Sequence, residues 1–217
     1  EELAALAAIV RKHPNLHVLS DDIYEHLLYD NLSFVTFAEI APDLQERVLT
    51  INGVSKAYAM TGWRIGYAGG PSQLIAAMNK IQSQATSNPC TISQYAALAA
   101  ISGSLDQVKM MAQAFSKRRD FMVDKLNQIA GLKCLKPDGA FYLFPNCQGL
   151  IGKKSQTGQI IDSDQALVTY LLETAKVAVV PGSAFGAAPY YRISYATSES
   201  LLQEACKRIK NACDSLK

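Results

Sequence analysis

Val54-Ser55-Lys56-Ala57-Tyr58-Ala59-Met60-Thr61-Gly62-Trp63-Arg64-Ile65-Gly66-Tyr67 decides the reading of this 217-residue chain. It follows Arg47-Val48-Leu49-Thr50-Ile51-Asn52, a β-like run that ends by delivering a lysine into a loop. Eight residues after Lys56 comes Arg64, flanked by Gly62 and Gly66. A lysine at the end of a buried strand is costly unless its charge is paired or its amine is neutral, and only the neutral amine attacks a carbonyl. Arg64 is a permanent, bidentate cation suited to a phosphate. Together the two suggest an aldehyde that carries a phosphate. The plainer alternative is a surface lysine and a surface arginine beside a turn, which an isolated Ser-Lys pair would usually mean.

Two other segments carry chemistry. Leu16-His17-Val18-Leu19-Ser20 reads as a short strand running into Asp21-Asp22-Ile23-Tyr24-Glu25. Acidic residues at the carboxyl end of a buried strand suit a ligand site in an α/β sheet. An Asx turn after the strand would explain Asp21 equally well. Tyr190-Tyr191-Arg192-Ile193-Ser194-Tyr195-Ala196-Thr197 reads as a strand with one arginine among apolar residues. Such a charge needs an anionic partner, and a guanidinium receives a carboxylate bidentately. That carboxylate is either a ligand's or an internal Asp or Glu.

The string from Asn52 to Tyr67 closely resembles the cofactor-lysine signature of the fold-type I, class I aminotransferases, spelled most like the bacterial aspartate aminotransferase branch. Ser-Asp-Asp-Ile-Tyr, Gly139-Ala140-Phe141-Tyr142, Pro181-Gly182-Ser183-Ala184-Phe185-Gly186 and Arg192-Ile193-Ser194-Tyr195-Ala196-Thr197-Ser198 resemble further segments of that family. The resemblance implies an α/β fold. Residues 1–104 would be the C-terminal part of the large pyridoxal-phosphate-binding domain, with a mixed, mostly parallel sheet. Residues 105–217 would be a small α+β domain entered through a long linking helix. It implies pyridoxal 5′-phosphate as cofactor, Lys56 as its Schiff-base lysine and proton carrier, and Asp21, Tyr24, Ser55 and Arg64 as cofactor contacts. Asp21 would face the ring nitrogen, Tyr24 the phenolic oxygen and Arg64 the phosphate; Arg192 would take the substrate α-carboxylate. The implied reaction is ping-pong transamination between an amino acid and a 2-oxo acid, foremost L-aspartate and 2-oxoglutarate. Transaminases for other amino acids, lyases of the same fold and a non-catalytic dimerisation piece are the alternatives. A homodimer with its active site at the subunit interface is implied as well. Some relatives carry a phosphate-binding hydroxyl where Gly53 stands. By the same resemblance roughly half the family's chain precedes Glu1, so these 217 residues alone are expected to bind cofactor weakly and not to turn over.

Composition supports a globular protein. The chain is 49% hydrophobic and 18% charged, with 21 basic and 19 acidic residues giving a formal charge of +2. Acids and bases are interspersed, which argues against nucleic-acid or membrane-surface binding. No apolar run reaches the roughly 18 residues of a membrane helix. The five cysteines are widely spaced, without a Cys-x-x-Cys pair, and suggest neither a disulfide framework nor a zinc site but a reducing cytoplasm. Cys206 and Cys213 are seven apart and expected on one buried helix face. His13 and His17 are four apart, but Pro14 breaks any helix between them and no metal site is expected.

Helical spacing is read over 1–12 (Leu3, Leu6, Ala7, Val10), 71–83, 91–102, 104–130, 163–176 and 198–216. Gly103 is read as a C-cap, and Ser104 with Gln107 as a capping box. Residues 132–135 and 140–144 flank a turn at Pro137-Asp138-Gly139, and 146–162 read as a mobile excursion.

Overall fold

The computed structural model describes all 217 residues. They divide into two compact units, Glu1–Met111 and Ala112–Lys217. The division falls inside one long helix.

The first unit is built on a three-stranded mixed sheet. Strand β1 (Val18–Asp21) pairs in parallel with β2 (Val48–Gly53), and β2 pairs antiparallel with β3 (Gly66–Gly69). Helix α1 (Glu2–Lys12) buries Ala7 and Val10 against Phe37 and Ala41 of the short helix α2 (Phe37–Ile40) and its end, with Leu44 and Val48 completing the cluster. Leu6 is 53% exposed and so falls outside the stripe expected for it, while Leu3 packs on the cluster's edge. Arg11 on α1 forks onto Asp43 with two hydrogen bonds of 2.8 Å. That pair holds the Asp43 carboxyl below its usual range, chiefly through the hydrogen bond itself.

Helices α3 (Ser72–Ala85) and α4 (Thr91–Ser102) follow. Gly103 ends α4 in an extended conformation, so no left-handed cap forms there. Glycine is needed for space instead, since a Cβ would lie 2.9 Å from the Ala99 carbonyl oxygen. Ser104 Oγ accepts from the Asp106 amide (3.1 Å) at the start of α5 (Asp106–Asn127).

In the second unit β6 (Tyr191–Ser194) lies between β4 (Tyr142–Leu143) and β5 (Val180–Pro181), antiparallel to both. The amphipathic helix α7 (Glu199–Asp214) buries Leu202, Cys206, Ile209, Ala212 and Cys213 on one face, as the helical spacing requires. Burying each of its two branched aliphatic chains is worth roughly 2 kcal/mol. Helix α6 (Asp164–Tyr170) starts at Ser163, whose Oγ accepts from the Ala166 amide (3.2 Å). It runs on as a π-helical turn, Leu171–Ala175, that Lys176 ends in a left-handed conformation.

Three local expectations change. Of the two runs expected to flank a turn, 132–135 has only the bridge of Lys133 to Asn146, and 140–144 has the short strand β4, paired with β6. No hydrogen-bonded turn forms at Pro137-Asp138-Gly139, where the chain only bends at Asp138; Arg119, wholly buried, holds this stretch by donating to the Pro137 carbonyl (3.0 Å), and donates also to Asp120 (2.9 Å) and Ser116 (3.2 Å). Residues 146–162 are a strap tied to the core by Cys147, Leu150 and Ile161, all fully buried, not a mobile excursion.

Cys134, Cys147, Cys206 and Cys213 are buried free thiols, and all four lie close enough to Tyr191 to bear on its phenol. Tyr191 is completely buried and its hydroxyl has no hydrogen-bond partner. An orphaned buried hydroxyl costs about 1–3 kcal/mol. Tyr191→Phe is therefore expected to raise stability by about 1 kcal/mol, read from the urea midpoint at unchanged slope. A lowered midpoint would show that the hydroxyl is satisfied.

Candidate active site

Parallel β1 and β2 end side by side, with Asp21 opposite Ile51 and the Asp22 amide donating to the Ile51 carbonyl (2.8 Å). The two acids then part. Asp22 is buried and accepts from Ser20 Oγ (2.7 Å), which locks the strand end. Asp21 is exposed, and its hydrogen bond from the Ile23 amide is a long 3.4 Å. The Asx-turn alternative is thus present only weakly, and most of the Asp21 carboxylate remains available. Tyr24 is half-buried in the following turn.

Lys56 owes its position to its neighbours. Val54 and Ala57 are buried and anchor the turn after β2, while Ser55 and Lys56 between them are half-buried. The turn closes through the amides of Tyr58 to Val54 O (3.3 Å) and Ala59 to Lys56 O (3.2 Å), with Ala59 left-handed. Lys56 Nζ lies 5.9 Å from the centroid of the Tyr24 ring, so the turns after β1 and β2 meet at these two side chains.

A link that sequence reasoning missed supports this. Asn52 Nδ2 donates to Glu25 (2.8 Å) and Asn52 Oδ1 accepts from the Gly53 amide (2.7 Å), tying the end of β2 to the residue after Tyr24. Both residues stand inside quoted motifs, but nothing local says that they meet. Burial and, secondarily, the Glu25 charge push the phenols of Tyr58 and Tyr67 above the ordinary range.

Arg64 follows a 3₁₀ turn, Thr61–Trp63, in a left-handed conformation, exposed, with Nη1 donating to the Thr61 carbonyl (2.8 Å). Two residues later Gly66 pairs with Gly53, which puts Arg64 at the same end of the sheet as Lys56. The backbones are close here. A Cβ on Gly53 would lie 3.2 Å from both Gly66 Cα and Ile65 O, which gives a physical reason for the absence of a hydroxyl side chain at that position.

Unit 1 therefore gathers Asp21, Tyr24, Ser55, Lys56 and Arg64 at one end of its sheet. Arg192 belongs to unit 2. Tyr191 and Ile193 are buried on either side of it, so Arg192 turns to the opposite face of β6. Its guanidinium carbon lies 4.6 Å from the Tyr142 ring centroid and 4.7 Å from that of Phe185. The internal ion pair considered for Arg192 does not form; two aromatic faces take its place. No group of acids, cysteines and histidines is arranged to hold a metal ion, and no helix is long and apolar enough to cross a membrane.

A mixed sheet that brings an amine, a carboxylate, a phenol and a guanidinium to its strand ends has the build of an α/β enzyme domain. More particularly, the chain belongs to the class I and II aminotransferases, whose family model matches residues 1–209. It is 55% identical over 216 residues to the probable aspartate/prephenate aminotransferase of Rickettsia prowazekii, covering 100% of this chain and 54% of that one. It superposes on the aspartate aminotransferase of Rhizobium meliloti with a TM-score of 0.93 at 54% identity, over 97% of this chain and 55% of the other. The Thermus thermophilus aspartate aminotransferase solved with maleate matches at a TM-score of 0.82 and 40% identity, over 97% and 51%. The chain spans about half the length of the relatives it matches.

The family depends on pyridoxal phosphate. The donor set fits that group in kind: an amine for an aldehyde, a carboxylate for a ring nitrogen, a phenol for a phenolic oxygen, and a hydroxyl and guanidinium for a phosphate.

Proposed function

We propose that the whole protein is a pyridoxal-phosphate-dependent transaminase exchanging the amino group of L-aspartate with 2-oxoglutarate, giving oxaloacetate and L-glutamate by a ping-pong course. The carrying observation is Lys56, held between two buried anchors at the ends of parallel strands and within 5.9 Å of the Tyr24 ring centroid. The relatives named for aspartate support the donor; those named for aspartate/prephenate favour prephenate as a second acceptor.

When bound, pyridoxal phosphate supplies the sink for the electrons of the substrate's Cα–H bond. Lys56 would hold it through its amine, and the same amine would carry the proton taken from the substrate α-carbon. Asp21 would keep the ring nitrogen protonated through its negative charge, and Tyr24 would donate to the phenolic oxygen. Ser55 and Arg64 would take the phosphate. Arg192 receives the α-carboxylate and so orients the Cα–H bond. With a second oxo acid bound, the Lys56 amine would return a proton to the substrate α-carbon.

We further propose a cytoplasmic homodimer with the active site at the subunit interface. Five free cysteines without a disulfide agree with a reducing compartment. The test is borohydride reduction of the cofactor-loaded, full-length protein, with peptide mapping and with amino-nitrogen exchange followed from labelled aspartate. A pyridoxyl group on Lys56 together with label in glutamate is the expected result. An unmodified Lys56 or no exchange would reject the proposal.

A further inference from the structure

The ion pairs of unit 2 join Arg119 and Lys136 to Asp120, Lys125 to Asp124, Arg208 to Glu204 and Lys210 to Asp214; none includes Arg192. Its guanidinium instead lies over the Tyr142 and Phe185 rings, at 4.6 and 4.7 Å. A carboxylate neighbour would neutralise the cation and occupy its N–H donors. Aromatic faces attract a guanidinium without doing either, and leave the donor edge open for a planar anion.

Phe185 is not there to fill the core, because 49% of it is exposed. The chain nevertheless fixes it closely. It ends the 3₁₀ turn Gly182–Phe185, and the Ser183 amide in that turn donates (2.6 Å) to Asp164, which is only 3% exposed. The turn is closed by the Gly182 amide to Tyr190 O (2.7 Å) and the Ala187 amide to Gly182 O (3.0 Å). Only glycine fits at 182, since a Cβ would come 2.2 Å from Ala187 O. Behind Phe185 stands Phe144 (6.0 Å, edge-on), itself stacked on Tyr190 (5.3 Å, 10°). A buried carboxylate, an obligatory glycine and two further rings thus hold one half-exposed ring against one arginine.

We propose that Phe185, with Tyr142, is a positioning residue for substrate recognition: it holds the Arg192 guanidinium in the plane that receives a substrate carboxylate while leaving its charge unneutralised. This rests on the transaminase reading and adds to it the residue that sets Arg192.

Phe185→Met keeps side-chain bulk but removes the ring. In the cofactor-loaded, full-length protein it is expected to weaken binding of maleate, a non-reacting dicarboxylate, by about tenfold in calorimetry, within the range of a partly desolvated cation–ring contact. KM for aspartate and for 2-oxoglutarate should rise in parallel, with kcat within about twofold. Phe185→Tyr, which restores a ring, should restore the maleate Kd; a role in packing alone would not separate these two variants. A maleate Kd for Phe185→Met within twofold of wild type, or a Phe185→Tyr as weak as Phe185→Met, overturns the proposal. Should Phe185→Met not fold, Tyr142→Met tests the other ring by the same criteria. Wild-type protein that binds no maleate would instead reject the transaminase reading itself.

Discussion

On the proposed transaminase reading, Lys56→Ala in the full-length protein is expected to lower the rate of amino-group exchange by about 10⁴-fold or more, since there it would remove the covalent anchor and the proton carrier together. The fold should survive, because buried Val54 and Ala57 and backbone hydrogen bonds fix the Lys56 turn. Circular dichroism and the thermal midpoint should therefore match wild type. Lys56→Arg should be as inactive, since a guanidinium stays protonated and does not attack a carbonyl. The comparison separates loss of a nucleophile from loss of a charge. Exchange within tenfold of wild type in either variant would remove Lys56 from the chemistry.

The second large effect is alkaline destabilisation of the second unit. Burial pushes the thiols of Cys134, Cys147 and Cys206 up to about 11 and that of Cys213 up to about 12. The Tyr191 phenol is also raised well above its ordinary value, first by burial and then by the surrounding thiols. In the unfolded chain a thiol ionises near about 8.5. Between about 8.5 and the folded values, the unfolded state binds fewer protons than the folded state, so stability falls as pH rises. It is fully present below the unfolded pKa and is progressively lost up to about 11–12. Each mismatched thiol contributes about 1.4 kcal/mol per pH unit above about 8.5, so four of them give a loss of about 7 kcal/mol between about pH 8 and pH 10. Urea titrations at those two values, followed by a probe in the second unit, measure it directly. Reductant must be present, because Cys90 is exposed and hydrogen bonds from the Ser93 and Ile92 amides lower its thiol pKa. Cys213→Ala should make the decline shallower by about one thiol's share. Equal stability at the two pH values would mean that the thiols are not sheltered in the native state.

What could be read from the sequence follows the distance over which each feature is determined. The Lys56 turn is local: the β-like run that ends at Asn52 and the turn that carries Lys56 lie within one short stretch. Helix α7 was equally legible, because one turn after another repeats the same apolar face. The strand pairing of the second unit was not. Tyr142 lies opposite Ser194, fifty-two residues away, and no turn chemistry at Pro137 reveals that partner. The strap at 146–162 was misread for a related reason. Its three glycines and two lysines carried that reading, while the apolar residues that fix it, Leu150 and Ile161, show no period. The resemblance already singled out Asp21 of the two adjacent acids; the structure adds that Asp21 is exposed and Asp22 buried. Arg192 was visible as a misplaced charge. Its ring neighbours, from two distant segments, were not.

The strap has one more consequence, carried by its tie to the end of the chain. The Lys154 amide donates to the Lys217 carbonyl (2.8 Å), and the Lys217 amide donates back to Lys154 (2.9 Å). Residue 217 also follows directly on Leu216, which is buried. Excursions of the strap are thereby linked to fraying of the last turn after α7: neither can open while both of these bonds persist. Local opening of the two segments is expected to be one cooperative event, with amide exchange of the strap reporting on residues 215–217 and theirs on the strap.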